Sequence, residues 1–478
     1  MIADFLRKIK DNKDLQVFLL IFSLAAILRF LFLTSQGFWY DEALTALSMK
    51  MSFFDMIRDR LSGGHSPLYF IVIYPFAKLF GASELIVRLP SVIASVISIY
   101  VFYLLAGKLF NDSKIVNLST LFFSLSALNI YFAQEARMYS MCVLAIIASF
   151  YFLLRAIDEE DWKLWAGYVI STAILFYLSA SSIPVIFVQI AYVMIKRRKL
   201  ADFFLSFSII VLLYVPMAYF YLSMKKLGFI EWLPPINLQT FLNIFYGFGF
   251  KSIPILDAQG LYAMYVPISE FLSVYLVGAI IIFGILFSFI RISKSEKGIR
   301  LSLVSDFDSN AALFLILWLA LPIIIEVLYS IFKQPMFGPK RYVIILSPAY
   351  YLLLGLGIKK IGWKWLKNSL AAVLLVFFTL ALFTFYSTPT KEDWIGAISF
   401  IDKNVAPEEI VVGDLSTSTM YKYYGKREDL IIVNTKYIYS NAFGPRWLLL
   451  RTRDFNTLFG AGISLKKNFK AEEIKGFW

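Results

Sequence analysis

The stretch LQVFLLIFSLAAILRFLFLTSQGFWYDE, residues 15–42, decides the fold class. Residues 15–34 are almost all apolar, and Arg29 is their only charge. About twenty such residues, wound as a helix, cross the roughly 30 Å of hydrocarbon in a bilayer. Past Gly37 the composition changes at once to Phe38, Trp39, Tyr40, Asp41 and Glu42. Tryptophan and tyrosine gather where hydrocarbon meets water. The stretch therefore reads as a membrane span whose end carries two adjacent carboxylates into the interface.

The apolar pattern repeats along the chain. Of the 478 residues 59% are hydrophobic, against about 45–50% in soluble domains. Apolar blocks near 15–34, 84–107, 115–132, 138–156, 164–180, 182–196, 203–223, 268–290, 311–331, 341–358 and 367–387 predict about eleven spans. A further stretch, 67–80, contains Pro67 and Pro75 and reads as re-entrant or interfacial. The predicted fold class is a polytopic α-helical membrane protein.

Net charge is +13. In a soluble chain that would suggest nucleic acid. Here Lys and Arg collect in alternate loops: the N-terminus to Lys13, Lys108 with Lys114, Lys196 to Lys199, Arg291 to Arg300, and Lys359 to Lys367. The positive-inside rule places these loops in the cytoplasm, so no nucleic-acid partner is expected. The 155–163 loop falls on the same side although it is acidic. The outer side then receives 35–83, 133–137, the turn near 181, 224–267, 332–340 and everything after 388.

Within the first outer segment, Leu44, Leu47, Met51, Phe54, Ile57 and Leu61 recur at three-four spacing. That stripe predicts one helix lying on the outer membrane surface. Residues 388–478 differ in character. Strands are expected at 409–414 and 429–434 and a helix at 394–401. The expected division is a transmembrane domain, 1–387, followed by a small extracytoplasmic α/β domain, 388–478. Cys142 is the only cysteine, so no internal disulfide can form.

Four outer constellations can do chemistry. In Asp41-Glu42, helical neighbours point about 100° apart, so one carboxylate is a candidate general base. The other can hold the helix N-terminus, where negative charge is favoured. A plain helix cap within an aromatic belt is the bland alternative. His65, the only histidine, sits in Gly63-Gly64-His65-Ser66-Pro67. It is a candidate for a phosphate oxygen or, with Glu42, for a divalent metal; a surface turn explains it equally. Glu135 and Arg137 occupy a very short outer loop. Arg137 suits a phosphate because its guanidinium is a rigid fork, unless the two side chains simply satisfy each other. Lys340 and Arg341 are cations on the outer side and suit an anionic lipid headgroup, or they snorkel to ordinary lipid.

The aromatics beside these groups, Tyr40, Tyr69, Tyr139 and Tyr342, are candidates for touching substrate. Inside the spans, Arg29, Arg88 and Glu326 are single charges that must face a cavity or each other. Asp306-Phe307-Asp308 has the carboxylate spacing of sugar-nucleotide enzymes. It lies in a polar cytoplasmic loop with no glycine-rich partner, so it reads as a solvated loop.

The order of these motifs carries a resemblance. Asp41-Glu42, His65-Ser66-Pro67-Leu68-Tyr69, Arg88-Leu89-Pro90-Ser91, Gln134-Glu135-Ala136-Arg137-Met138-Tyr139, Arg341-Tyr342 and Lys391-Glu392-Asp393-Trp394 follow one another along most of the chain. The set resembles integral-membrane glycosyltransferases of the GT-C fold. Within them it looks like the group of protein O-mannosyltransferases (glycosyltransferase family 39) and lipid A aminoarabinose transferases. The resemblance implies a sugar donor on polyprenyl or dolichyl phosphate, transferred on the outer face to a lipid, glycan or protein hydroxyl. It implies Asp41 as base, Glu135 as the second acid and Arg137 on the donor phosphate. Two departures bear on the acceptor and on any metal. The group's His-Pro-Pro is His65-Ser66-Pro67 here, and an aromatic–histidine pair after the fifth span is replaced by Ser179-Ala180-Ser181-Ser182.

Two rival readings come from other classes. A transporter or lipid flippase would also carry many spans, but tends to show two similar halves and a site at the midplane. A surface scaffold would work through residues 388–478 alone.

Overall fold

The computed structural model describes residues 12–223, 248, 268–295, 298–303, 306–333, 343–406, 410–413, 415–427, 431–434 and 447–448. Its first half holds helices α1 (Lys13–Phe30), α2 (Tyr40–Ser48), α3 (Phe53–Ser62), α4 (Leu68–Phe80), α5 (Glu84–Leu109), α6 (Ser113–Ser124), α7 (Ala127–Ala133) and α8 (Tyr139–Asp158). Then come α9 (Trp162–Leu178), α10 (Val185–Lys196), α11 (Leu200–Ser223), α12 (Ile268–Phe289), α13 (Phe307–Phe332), α14 (Ser347–Lys360) and α15 (Lys364–Ser387). An antiparallel hairpin, β1 (Ile290–Ser295) with β2 (Gly298–Leu303), joins α12 to α13. After α15 follow α16 (Trp394–Asn404), β3 (Ile410–Gly413), α17 (Leu415–Tyr424), β4 (Ile431–Asn434) and β5 (Trp447–Leu448). The three short strands pair in parallel, with β3 in the middle.

Each apolar block contains helix, but continuous spanning length is rarer than apolar composition. Among the described residues five helices are long and apolar enough to cross a membrane, or six if α6 and α7 form one span bent by 55°. Leu68–Phe80, Trp162–Leu178, Ala180–Lys196 and Tyr275–Phe289 are shorter apolar helices. The two blocks around Ser181 are separated by a 3₁₀ turn, Ala180–Ser182, with Pro184 at the N-cap of α10. Proline has no N–H to give the preceding turn, which suits Pro184 to the start of α10 rather than to a helix interior. The described structure thus supports a helical membrane protein with five or six clear spans.

The bundle packs around α14, whose residues Ser347 to Ile358 are all buried. Small residues allow that position. A Cβ built on Gly284 would lie 2.4 Å from the Gly357 Cα, so α12 and α14 meet backbone to backbone. In lipid, where apolar contact gives no advantage over the solvent, close approach of small residues drives helix association.

The kink between α6 and α7 exposes backbone groups inside the bundle, and each needs a partner. Arg29 of α1 supplies one. Its guanidinium donates to the carbonyls of Ser124 (3.1 Å) and Ala25 (3.0 Å) and to Ser95 Oγ (2.7 Å). A cation at a helix C-terminus is also favoured by the helix dipole. Ser126 caps α7 by accepting from the Asn129 amide, and Tyr351 of α14 donates to Ser126 at 2.6 Å. The lone charge in the first apolar block is thus a structural cap.

Two expectations change. The stripe from Leu44 to Leu61 is not one helix. Ser52 ends the run: its hydroxyl accepts from the Asp55 amide at 3.2 Å and starts α3 afresh. The buried face of α2 is Glu42, Ala43, Thr45, Ala46 and Ser48, while Met51 and Phe54 of the predicted stripe are exposed. The small alanines let α2 sit close to the bundle, and the apolar stripe faces outward. Secondly, Asp306 and Asp308 are not in a solvated loop. Asp306 caps α13 by accepting from the Ser309 amide at 3.0 Å, and Asp308 pairs with Lys359 (2.6 Å) and Lys360 (2.7 Å).

The acidic 155–163 loop also has an explanation. Asp158 pairs with Lys108 at 2.9 Å and with Arg198 at 3.0 Å, and Glu160 pairs with Lys199 at 3.1 Å. These carboxylates lie among the loop cations, which is why they share a side with them.

Candidate active site

Glu42 is the residue around which the loops after α1, α7 and α15 assemble. It lies in the first turn of α2 and is fully buried. Its Oε1 accepts from Arg88 Nε at 2.8 Å and from the Ala136 amide at 2.9 Å. Its Oε2 accepts from Arg88 Nη2 at 2.9 Å and Lys391 Nζ at 2.7 Å. An ionised carboxylate has about four lone-pair sites, and these donors fill them. Burial penalises the charge, yet Lys391 and Arg88 outweigh it and hold the carboxyl at about 2.

Arg88 is equally committed. Besides Glu42 it donates to the carbonyls of Leu33 (2.8 Å), Gln36 (2.9 Å) and Gly37 (2.9 Å). All five of its N–H groups are therefore used. The ion pair fastens the chain that leaves α1 to the start of α5.

Asp41, one residue earlier, points elsewhere. Its carboxylate is 22% exposed and lies 3.9 Å from Arg137, whose side chain is 5% exposed. That separation is longer than a direct hydrogen bond. Arg137 sits between α7 and α8, and its carbonyl accepts from Ser91 Oγ at 3.0 Å. Ser91 spends its one proton there, so the Tyr69 hydroxyl at 3.0 Å must donate to Ser91.

Glu135 feels the Arg137 charge, though burial is the larger influence on it. It is 1% exposed, and its Oε2 has no hydrogen-bond partner. Burial pushes its carboxyl up to about 7, against the pull of Lys391. His65 follows α3 and faces the same region. Burial and the charges of Arg137 and Arg60 push its imidazole down to about 4, with Asp41 opposing. His65 is therefore neutral at pH 7 and can meet a phosphate only through a ring N–H.

The remaining candidates divide. Tyr40 opens α2 and is half-buried beside Asp41. Tyr139 is 4% exposed, with its ring edge-on to Phe132 at 4.7 Å. Tyr69 is 1% exposed, and its hydroxyl donates to Ser91, which in turn donates to the Arg137 carbonyl. Lys340, Arg341 and Tyr342 lie outside the described residues.

The described candidates, His65 and Glu42, do not fit a divalent metal. Among the described residues no three His, Cys, Asp or Glu side chains converge. Glu42 is saturated by Arg88 and Lys391, Asp41 faces Arg137, and His65 lies near Arg60 and Arg137. Such a cationic neighbourhood repels a second cation and attracts an anion.

With this geometry in hand, the relatives can be placed. The sequence model of the family described as dolichyl-phosphate-mannose-protein mannosyltransferase matches residues 64–221. That stretch includes His65, Arg88, Glu135 and Arg137, and begins after Asp41 and Glu42. No curated protein sequence matches. Among solved structures, ArnT from Cupriavidus metallidurans bound to undecaprenyl phosphate superposes with a TM-score of 0.55 at 11% identity, covering 94% of this chain and 95% of that one. The Archaeoglobus fulgidus oligosaccharyltransferase tethered to an acceptor peptide superposes with a TM-score of 0.54 at 11% identity, over 90% of this chain and 64% of that one. The chain has the GT-C fold.

In this GT-C fold the segments that carry Arg88, Ala136 and Lys391 converge on Glu42. Sequence reasoning put the two carboxylates in place but not their division of labour, nor the part played by Lys391. The signal was present in part. Arg88 needed a partner inside the membrane, and an adjacent carboxylate pair offers one member for structure and one for chemistry.

Proposed function

We propose that the protein transfers a sugar from a polyprenyl-phosphate donor to a hydroxyl acceptor on the outer face of the membrane. The observation that carries this reading is the pairing of Asp41 with Arg137 at 3.9 Å, a partly exposed acid facing a buried guanidinium. The ArnT match, made to a structure with undecaprenyl phosphate bound, supports the donor class.

The roles follow from the chemistry. Arg137 holds the donor phosphate by charge-assisted hydrogen bonds, with the neutral His65 beside it. Asp41 takes the proton of the acceptor hydroxyl as its oxygen attacks the anomeric carbon. The bond from that carbon to the phosphate oxygen breaks, and polyprenyl phosphate leaves as an anion. Its charge is met by Arg137, so no strong acid is needed. A single displacement inverts the anomeric carbon. Glu135 and Tyr139 lie behind Arg137 and shape the loop.

Undecaprenyl phosphate binding to the purified chain in detergent tests the donor reading. The wild type should bind. Arg137→Lys should bind about tenfold or more weakly, because a charge-assisted hydrogen bond contributes roughly 1.5–3 kcal/mol. Equal affinity in Arg137→Lys and Arg137→Ala would remove Arg137 from the phosphate site.

We place the N-terminus in the cytoplasm and residues after 388 outside, on the plasma membrane, from the Lys and Arg distribution. In a Cys142→Ser background, cysteines at Ser62 and Lys426 should react with an impermeant thiol reagent on intact cells, and one at Lys114 should not. All three positions are exposed. Labelling of Lys114→Cys without lysis would reverse the orientation.

A further inference from the structure

Lys391 is the first charged residue after α15, far in sequence from the other site groups. Its side chain is 6% exposed, and its ammonium donates to Glu42 Oε2 at 2.7 Å and to the Gln134 carbonyl at 3.3 Å. Its backbone is held as firmly. Gln36 Oε1 accepts from the amides of Thr390 (2.8 Å) and Lys391 (2.9 Å), and the Gln36 carbonyl accepts from Arg88. Gln36, Lys391, Glu42 and Arg88 thus close a ring of hydrogen bonds that joins the first outer loop, α5 and the segment after the last span.

The ring touches both proposed reacting residues at one remove. Asp41 precedes Glu42 in α2. Arg137 follows Ala136, whose amide donates to Glu42. The separation of Asp41 from Arg137 is therefore set by where Glu42 stands, and Glu42 stands between Arg88 and Lys391. Two buried carboxyls, Glu42 and Glu135, lie beside the Lys391 ammonium. Removing that cation leaves the two carboxyls less compensated in a poorly screening interior, and the strain falls on the Ala136 amide bond that ties the 134–137 loop to Glu42.

We infer that Lys391 is a positioning residue: acting through Glu42, it fixes the Asp41–Arg137 spacing and with it the affinity for the donor phosphate. The inference rests on the proposed transfer reaction. Lys391 is assigned no phosphate contact of its own, because its ammonium already donates to Glu42 and the Gln134 carbonyl.

The test measures undecaprenyl phosphate binding to the full, folded chain in detergent, with unfolding temperatures recorded in parallel. Lys391→Met should weaken binding by about tenfold, within the usual range of couplings between sites. Lys391→Arg keeps the charge and should recover to within about threefold. Gln36→Leu removes no charge but frees the backbone at 390–391, and should weaken binding in the same direction even if Lys391→Met fails to fold. Added to Arg137→Lys, Lys391→Met should cost little more, since both act on one contact. Failure of the wild type to bind overturns the donor reading and this inference with it. Wild-type binding with unchanged affinity in Lys391→Met and Gln36→Leu, and only a lower unfolding temperature, overturns this inference alone. Full additivity with Arg137→Lys would make Lys391 an independent ligand and overturn its positioning role.

Discussion

Asp41→Asn should lower sugar transfer by about 100-fold or more, the usual share of a positioned general base, while undecaprenyl phosphate still binds. The asymmetry between the two adjacent carboxylates leads to this expectation. Glu42 is fully buried and its lone pairs are filled by Arg88, Lys391 and the Ala136 amide. Asp41 is 22% exposed and stands 3.9 Å from Arg137. Asparagine has nearly the same shape as aspartate but cannot accept the hydroxyl proton. An ion pair this long and partly solvated contributes at most about 1 kcal/mol to stability, so the substitution should leave the fold intact. Single-turnover transfer from an undecaprenyl-phosphate sugar separates the steps: the chemical rate should collapse and the binding constant should hold. Wild-type turnover in Asp41→Asn would falsify the base assignment.

Glu42→Ala should do something different in kind. It removes the shared partner of two buried cations, and breaking a buried pair by deleting one member costs about 3–5 kcal/mol. It also strips the Ala136 amide of its acceptor. Typical domains are stable by only about 5–15 kcal/mol, so the variant should unfold at a much lower temperature in detergent or aggregate on size exclusion. A pH dependence accompanies this. Burial works against the Glu42 charge, but Lys391 and Arg88 bring its folded pKa down to about 2, below the unfolded value near 4.5. Its stabilisation is therefore complete above about pH 4.5 and is lost as pH falls through about 2. Wild-type melting temperature should fall across that acid window, and Glu42→Gln should show a shallower fall from a lower start. A Glu42→Ala protein that melts like the wild type but is inactive would return Glu42 to the list of reacting groups.

The two variants together separate the roles that adjacency had left open. Asp41 is expected to govern rate, and Glu42 to govern whether the loops assemble at all. The segment after α15 shares in that assembly. The Tyr424 hydroxyl accepts from the Phe38 amide at 2.7 Å and donates to Glu84 at 2.6 Å, and Tyr423 donates to the Ala82 carbonyl at 2.8 Å. These contacts join α17 to the membrane-embedded part beside α2, which a scaffold working through residues 388–478 alone would not require.

The sequence by itself determined the membrane class, the helical content of each apolar block and the outer motifs, because hydropathy, charge and aromatic belts act locally. Lys and Arg at loop positions, and apolar runs of spanning length, mean the same wherever the rest of the chain goes. It could also nominate Asp41, Glu42 and Arg137 as a group. Only the tertiary structure decided what each one touches. Whether a carboxylate is a base or a strut depends on the donors that reach it, and those of Glu42 come from Arg88, Ala136 and Lys391, the last separated from it by 349 positions. The break at Ser52 and the kink at Leu125 were decided in the same way. Ser52 offered a cap that outweighed the apolar stripe, and Arg29 from another helix made the kink between α6 and α7 tolerable inside the membrane. A buried polar group takes its partners from whatever folds against it, and one-dimensional spacing does not record what that will be.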